Sequence, residues 1–167
     1  MKIGFSGHQK IDHPERWGWV RAQFLSVLRE EFVDRVVTSL AEGGDQLFVE
    51  VALELGTPVE IVVPCEGYES AFETELGREA YAALLNAAAG VTVLDFPEPS
   101  EGAFLAAGQF VVNNCDLLVA LWNGKPAAGT GGTGDIVAFA RSLGRPIVHV
   151  HPDLLTVFGP SDNPPGG

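Results

Sequence analysis

The chain has 167 residues, of which 22 are Asp or Glu and 10 are Lys or Arg, so its formal net charge is −12. A protein this acidic repels the phosphate backbone of long nucleic acids and the surface of anionic membranes, which argues against both as partners. Hydrophobic residues make up 46% of the chain and charged residues 19%. This composition predicts one compact domain with a substantial core.

The sequence has none of the patterns typical of secreted or membrane proteins. No apolar stretch of about 7–15 residues opens the chain, as a secretory signal would require, and no apolar run approaches the roughly 20 residues of a membrane span. The two cysteines, Cys65 and Cys115, lie near predicted strand ends, which is a poor basis for a disulfide framework. We therefore expect a cytoplasmic protein.

Apolar segments rich in β-branched residues alternate along the chain with segments of helical periodicity. The predicted strands are Lys2–Ser6, Arg35–Ser39, Pro58–Val63, Val91–Asp95, Asp116–Trp122 and Pro146–Val150. Apolar residues at helical spacing predict helices between them, over residues 17–28, 47–55, 72–85, 104–112 and 136–143. This alternation predicts an α/β fold, Rossmann-like and doubly wound, with a mainly parallel sheet of about six strands flanked by helices.

We expect a single domain over residues 1–155 and a flexible C-terminal tail over residues 156–167, because the end of the chain is rich in glycine and proline. The fourth predicted helix, which includes Ala103 to Val112, is apolar on nearly all sides. Such a helix indicates either a homodimer or higher oligomer, or burial within its own domain.

Three predicted strands are followed by glycine-rich loops. Their sequences are Gly4-Phe5-Ser6-Gly7-His8-Gln9, Ala41-Glu42-Gly43-Gly44-Asp45 and Gly129-Thr130-Gly131-Gly132-Thr133-Gly134-Asp135. In an open α/β sheet, ligands bind at the carboxyl ends of the strands. Glycine allows close approach to the backbone, and the following helix offers unpaired N–H groups. Together the loops predict a cradle for an anion such as phosphate, although a tight turn explains any one of them alone.

The third loop matches the dinucleotide fingerprint G-x-G-x-x-G at Gly129, Gly131 and Gly134, with Asp153 19 residues beyond. However, the fingerprint normally occupies the first strand-to-helix turn, whereas this loop follows the fifth predicted strand. The match therefore gives little support to a dinucleotide site. A Walker A loop is excluded because no Lys-Ser or Lys-Thr pair follows the glycines.

Four acidic residues near these loops are candidate catalytic groups: Glu42, Asp45, Asp116 and Asp135. Three of them have a structural alternative. Asp45 and Asp135 are predicted in first helical turns, where a carboxylate caps the helix, and Asp116 opens a buried strand, where it can anchor neighbouring backbone. As functional groups, they would accept hydrogen bonds from hydroxyls such as those of ribose.

Other side chains near the loops have either a binding or a structural interpretation. His8 is placed to donate to a phosphate or stack on a base, and Trp122 to stack on a base or cover the sheet edge. Lys10 and Lys125 would neutralise a phosphate or stay solvated. His149 and His151 share a strand face without further ligands at metal spacing, so we predict no metal site and no cofactor.

The motifs, taken in chain order, resemble those of the SLOG superfamily of Rossmann-like domains. They are Gly4 to His8, Ser39 to Leu47, Val62-Val63-Pro64, and Cys115 to Trp122 leading to Gly131 to Val137. The superfamily unites the Lonely Guy cytokinin-activating enzymes, the DNA-processing protein A domain and the nucleotide-sensing N-terminal domains of TRP-melastatin channels. The resemblance runs from Lys2 to about Val150 and implies a nucleotide-type ligand bound between the glycine loops.

The chain departs from the motifs and surfaces of two branches of this superfamily. Lonely Guy enzymes carry P-G-G-x-G-T-x-x-E, and here Ile136 stands where the catalytic glutamate is expected, with Asp135 one position earlier. The DNA-processing branch binds single strands through basic and aromatic surfaces, whereas residues 42–101 contain thirteen acids and one base, Arg78. The sequence is most similar to small sensor-type members.

We therefore predict binding or sensing of a small nucleotide or nucleotide-derived ligand, with hydrolysis or transfer of an N-glycosidic bond of a nucleoside or nucleoside monophosphate as the alternative. The resemblance and the loops together imply a set of ligand-binding residues. They are Ser6, Gly7, His8, Gly43, Gly44, Asp45, Pro64, Trp122, Gly131, Gly132, Thr133, Gly134 and Asp135.

Overall fold

The structure, a computed structural model, describes residues 1–162. Within them it has a seven-stranded sheet in the order β4-β3-β2-β1-β5-β6-β7. The strands are β1 (Lys2–Gly7), β2 (Arg35–Thr38), β3 (Val59–Val63), β4 (Gly90–Val93), β5 (Leu117–Leu121), β6 (Ile147–His151) and β7 (Thr156–Phe158). Strands β1 to β6 are parallel and β7 is antiparallel to β6. The predicted α/β, mainly parallel fold is confirmed.

Five α-helices connect the strands over these residues: α1 (Trp17–Glu30), α2 (Gly44–Glu54), α3 (Glu75–Ala87), α4 (Glu101–Asn113) and α5 (Thr133–Ser142). Short 3₁₀ segments at Pro14–Arg16 and Tyr68–Ala71 precede α1 and α3. The Thr74 and Ser100 hydroxyls cap α3 and α4 by accepting hydrogen bonds from the third residue of each helix. Predicted helix 3 began too early, because Phe72 lies outside α3.

The core occupies both faces of the sheet because successive strand residues point to opposite sides. Val36 of β2 packs in the larger cluster under α1 and α2, which is centred on the rings of Phe5, Phe24 and Phe48. Its neighbour Val37 packs in the cluster under α4 and α5. Each central strand is therefore covered by helices on both faces.

The last strand corrects the predicted boundary of the domain. β7 lies at Thr156–Phe158 and pairs with β6, with His151 opposite Thr156, so the sheet continues three residues into the segment that the sequence assigned to a tail. Three residues are too few to show strand periodicity, and they are held by pairing with β6. Residues 163–167 of the predicted tail lie outside the described part of the chain.

The chain reverses direction across the sheet between β1 and β5. From β1 it runs outward through β2 and β3 to β4, then returns to place β5 on the other side of β1, with Ser6 beside Ala120 and Gly7 beside Leu121. In doubly wound sheets the crevice at such a switch point binds ligands. In the described residues no helix is long and apolar enough to cross a membrane.

Candidate functional site

A cavity of about 400 Å³ lies at the carboxyl edge of the sheet, where the first and third glycine loops meet. Its lining comes from the ends of β1, β2 and β3, from α4 and from the start of α5. The lining residues are Ser6, Gly7, His8, Gln9, Ser39, Ala41, Asp45, Pro64, Tyr68, Ala71, Phe72, Glu101, Phe104, Gly108, Gly129, Thr130, Gly131, Gly132, Thr133 and Ile136. The cavity thus brings together eight of the predicted binding residues. They are Ser6, Gly7, His8, Asp45, Pro64, Gly131, Gly132 and Thr133.

The first loop is fixed by its contacts with β5. The His8 N–H donates to the Leu121 carbonyl at 3.1 Å, and His8 Nε2 accepts from the Asn123 N–H at 3.0 Å. Since Nε2 is an acceptor, the neutral ring carries its proton on Nδ1. Burial lowers the pKa of His8, so the ring is neutral at pH 7 and its Nδ1–H is the donor left for a ligand.

The glycines of the second loop pack against the first loop instead of lining the cavity. Gly43 has a φ of 79°, and a Cβ there would lie 2.2 Å from the Gln9 carbonyl oxygen. The Gly44 N–H donates to the His8 carbonyl at 3.0 Å. Both glycines therefore permit close backbone contact, and neither lines the cavity.

Asp45, at the start of α2, is 3% exposed and still lines the cavity. Its Oδ2 accepts hydrogen bonds from the Thr38 hydroxyl at 3.0 Å, the Ser39 hydroxyl at 3.1 Å and the Ala41 N–H at 3.1 Å. Burial nevertheless raises the pKa of Asp45 to about 6, because desolvation disfavours the charged form more strongly than these bonds favour it. A carboxyl group that titrates near neutral pH in a cavity is typical of a functional group.

The third loop presents backbone donors to the cavity at the N-terminus of α5. Asp135 Oδ2 accepts from the Gly131 N–H at 2.9 Å, and the Asp135 N–H donates to the Gly132 carbonyl at 3.0 Å. Asp135 thus holds the loop in shape and is not a cavity-lining residue. Among the described residues, the N–H groups of Thr130, Thr133 and Gly134 have no protein acceptor.

Glycine is required in this loop by close backbone contacts. Gly131 has a φ of 88°, and a Cβ there would lie 2.7 Å from the Leu105 nitrogen of α4. A Cβ at Gly134 would lie 2.8 Å from the Ala127 nitrogen. The loop is therefore packed between α4 and the segment after β5, and this packing fixes the position of its unpaired N–H groups.

An aromatic wall, made of Tyr68, Phe72 and Phe104, lines part of the cavity. The Tyr68 ring centroid lies 5.0 Å from that of Phe72 and 6.1 Å from that of Phe104. Sequence patterns did not predict this wall. Phe72 and Phe104 fit helical spacing and were assigned to predicted helices, while Tyr68 lies in a 3₁₀ segment with no motif.

Two of the four candidate acids lie away from the cavity and have structural partners. Asp116 precedes β5 at the opposite edge of the sheet, where its Oδ2 accepts from the Lys2 N–H at 2.7 Å. Glu42 accepts from both the N–H and the hydroxyl of Thr74, each at 3.2 Å, and so anchors the start of α3. Since Asp135 supports the third loop, Asp45 is the candidate acid that lines the cavity.

Trp122, which the sequence placed among the ligand-binding residues, does not line this cavity. The ring is buried, its Nε1–H donates to the Lys125 carbonyl at 2.8 Å, and His149 lies 5.0 Å away. Trp122 instead lines a separate, larger cavity of about 510 Å³ beside α5 and β6, with Arg141 and Arg145. None of the glycine loops reaches that cavity, so we place the candidate site in the smaller one.

The remaining polar candidates have structural partners. Lys10 pairs with Glu73 at 2.7 Å and does not line the cavity, nor does Lys125. His149 Nε2 lies 2.7 Å from the Trp122 carbonyl oxygen. Within residues 1–162, no three His, Cys, Asp or Glu side chains come together to hold a metal ion.

The sequence matches no protein-family model and no curated protein. Solved structures with the same fold include DNA processing protein A from Streptococcus pneumoniae, with a TM-score of 0.64 and 16% identity over 89% of this chain and 49% of that one. DNA processing protein A from Helicobacter pylori, described by its single-stranded DNA binding mode, has a TM-score of 0.61 and 18% identity over 89% and 64%.

A third structure is the molybdenum cofactor binding protein from Rippkaea orientalis, with a TM-score of 0.58 and 15% identity over 89% of this chain and 74% of that one. The chain spans about half the length of the Streptococcus protein. These neighbours share the Rossmann-like α/β fold of this chain, as the sequence predicts. At 15–18% identity they establish the fold alone.

Proposed function

We propose that the protein binds or senses a small nucleotide or nucleotide-derived ligand in the 400 Å³ cavity. The observation that supports the proposal is that Thr130 and Thr133, whose N–H groups have no protein acceptor, line the same cavity as the aromatic wall. Unpaired N–H groups at a helix N-terminus bind phosphate oxygens, and aromatic rings bind the flat face of a base. A cavity of this size is within the usual range for small-molecule sites, about 300–1,000 Å³.

The charge of the protein favours a small ligand over a polymer. Among residues 1–162, no lysine or arginine lines the cavity, so an anion would be held by backbone donors and the dipole of α5. Long nucleic acids need many basic contacts along their backbone. We therefore propose that single-stranded DNA, which the Helicobacter protein binds, is not a ligand of this chain.

A thermal-shift screen against nucleosides, nucleotides and nucleotide-derived compounds tests the proposal, because a ligand that binds only the folded state raises the Tm. Gly132 has a φ of −69°, which any residue adopts, but a Cβ there would lie 3.0 Å from that of Ala127. Gly132→Leu should therefore displace the third loop, which lines the cavity, and abolish the shift. Gly18→Leu is the matched control, because Gly18 lies on α1 with nothing within 4 Å of its Cβ position. A nucleotide shift that survives Gly132→Leu would contradict this site.

The second candidate function, cleavage or transfer of an N-glycosidic bond, is favoured by one observation. Asp45 is a buried carboxyl group with a pKa raised to about 6 that lines the cavity beside the Tyr68 phenol. A group with such a pKa serves as a general acid or nucleophile near neutral pH. It would act on the anomeric carbon or the departing base of a ligand held by the glycine loop.

Chromatography for free base, after incubation with a panel of nucleoside monophosphates, tests this second function. Release of base by the wild-type protein that Asp45→Asn lowers by about 100-fold or more would support it, provided that the variant remains folded at the assay temperature. Absence of free base from every compound that shifts the Tm would leave binding as the function and exclude the hydrolase.

A further inference from the structure

Glu101 brings a carboxylate to the loop that carries the free backbone donors. It is the first residue of α4, and its Oε1 lies 2.8 Å from the position of a Cβ built on Gly129. Its backbone oxygen lies 3.2 Å from the corresponding position on Gly131. Within residues 1–162 the Glu101 carboxylate has no ion-pair or hydrogen-bonding partner, and it lines the cavity.

The cavity thus combines an anion subsite with carboxylates on two sides. Asp45 lies at the end formed by β2, and Glu101 lies beside the third loop. The opposing positive potential comes from N–H groups and the N-terminus of α5, which is equivalent to about half an elementary charge. This partial positive charge is enough to hold one anionic group. Each further phosphate would add negative charge near Glu101 without a cation to offset it.

We infer that Glu101 is a specificity-determining residue that restricts the cavity to ligands with one anionic group. Its carboxylate accepts a hydrogen bond from a hydroxyl or amino group of the ligand and repels a second or third phosphate. The inference rests on the proposed function, since it concerns the same cavity. Two unit charges about 5 Å apart near a protein surface repel enough to change affinity by about tenfold or more.

Glu75 provides a matched control for the effect of Glu101 on its own helix. Both residues are exposed, both are the first residue of a helix, and each follows a hydroxyl N-cap, Thr74 or Ser100. Glu75 does not line the cavity. Glu75→Gln and Glu101→Gln therefore remove the same favourable interaction with a helix dipole, and only Glu101→Gln alters the charge of the cavity.

The experiment measures Kd by calorimetry for the mono-, di- and triphosphates of the nucleoside that gives the largest thermal shift, at low ionic strength. We expect the wild-type protein and Glu75→Gln to bind the monophosphate about tenfold or more tightly than the triphosphate. Glu101→Gln should reduce that ratio to about threefold or less.

Two results would overturn the inference while leaving the proposed function intact. One is a wild-type protein that binds the triphosphate as tightly as the monophosphate. The other is a preference for the monophosphate that Glu101→Gln leaves unchanged. If no nucleoside phosphate bound the wild-type protein at all, the proposed function itself would be contradicted, and the inference with it.

Discussion

The carboxyl group of Asp45 stabilises the fold and also lines the cavity. Its Oδ2 ties the end of β2 to the start of α2, through the Thr38 and Ser39 hydroxyls and the Ala41 N–H. The sequence offered capping and ligand binding as alternatives for this residue. The structure shows that Asp45 does not cap α2. Its side chain instead holds the segment before the helix and also lines the cavity, because α2 begins directly at the carboxyl edge of the sheet.

The raised pKa of Asp45 predicts a specific dependence of stability on pH. A folded-state pKa of about 6, above the ordinary value of 3.8, means that the folded protein holds this proton more tightly than the unfolded chain. The stabilisation is complete below the ordinary pKa and is lost as the pH rises through about 6. Relative to Asp45→Asn, the wild-type protein should gain about 2 kcal/mol between pH 7 and pH 4.

Urea unfolding of both proteins at the two pH values measures this gain. Asn at position 45 is destabilising by a constant amount, because its amide cannot accept from all three donors, and this constant cancels in the comparison. A difference in unfolding free energy that is the same at pH 4 and pH 7 would show that Asp45 does not bind a proton in this range.

At the scale of elements, the third loop and α5 show which features the sequence predicts well. Gly131 and Gly134 were predictable because glycine and a first-turn acid are local signals for a loop that leads into a helix. Tyr68 and Phe72 were not, since their place in the cavity depends on how the segment after β3 folds against α4. The short strand β7 was missed for the same reason, because it is defined by its pairing with β6.

The packing of the third loop predicts that Gly134 cannot be replaced even by alanine. A Cβ there would lie 2.8 Å from the Ala127 nitrogen and 3.0 Å from the Lys125 oxygen, both backbone atoms that cannot rotate away. Gly134→Ala should lower the free energy of unfolding by about 1–3 kcal/mol. Gly18→Ala, in an open helical position, should raise it by about 0.5–1 kcal/mol. Equal stability of Gly134→Ala and wild type in urea unfolding would contradict the described contacts.

The apolar helix α4 is explained by packing within its own domain. It contacts β1, β2, β3 and α5, and Gly108 allows Ile136 of α5 to approach so closely that a Cβ would lie 2.1 Å from its Cδ1. This packing agrees with burial within the domain, one of the two interpretations that the sequence left open. A homodimer or higher oligomer stays a prediction, and light scattering of the purified protein would measure its mass.

For the whole molecule, the distribution of charge favours the proposed small ligand over single-stranded DNA. The described bases include several paired with acids, such as Lys2 and Arg35 with Glu60, Lys10 with Glu73 and Arg21 with Glu54. The chain thus shares its fold with a single-stranded DNA binding protein but carries a net charge of −12.

We predict that fluorescently labelled single-stranded DNA shows no change in anisotropy with this protein, even at low ionic strength, where electrostatic binding is strongest. DNA processing protein A serves as the positive control. Binding that weakens steeply as salt is added would contradict the prediction, because such a dependence reports contacts between cationic side chains and phosphates.

In the proposed mode of binding, backbone donors of the third loop hold the anionic group of a small nucleotide. Titration of ¹⁵N-labelled protein with a nucleotide from the thermal-shift screen tests it most directly, because each amide reports its own surroundings. We expect saturable shifts for the amides of Thr130 and Thr133, which line the cavity, with smaller shifts around Tyr68. Shifts confined to the cavity of Trp122 and Arg141, with the loop amides unmoved, would contradict it.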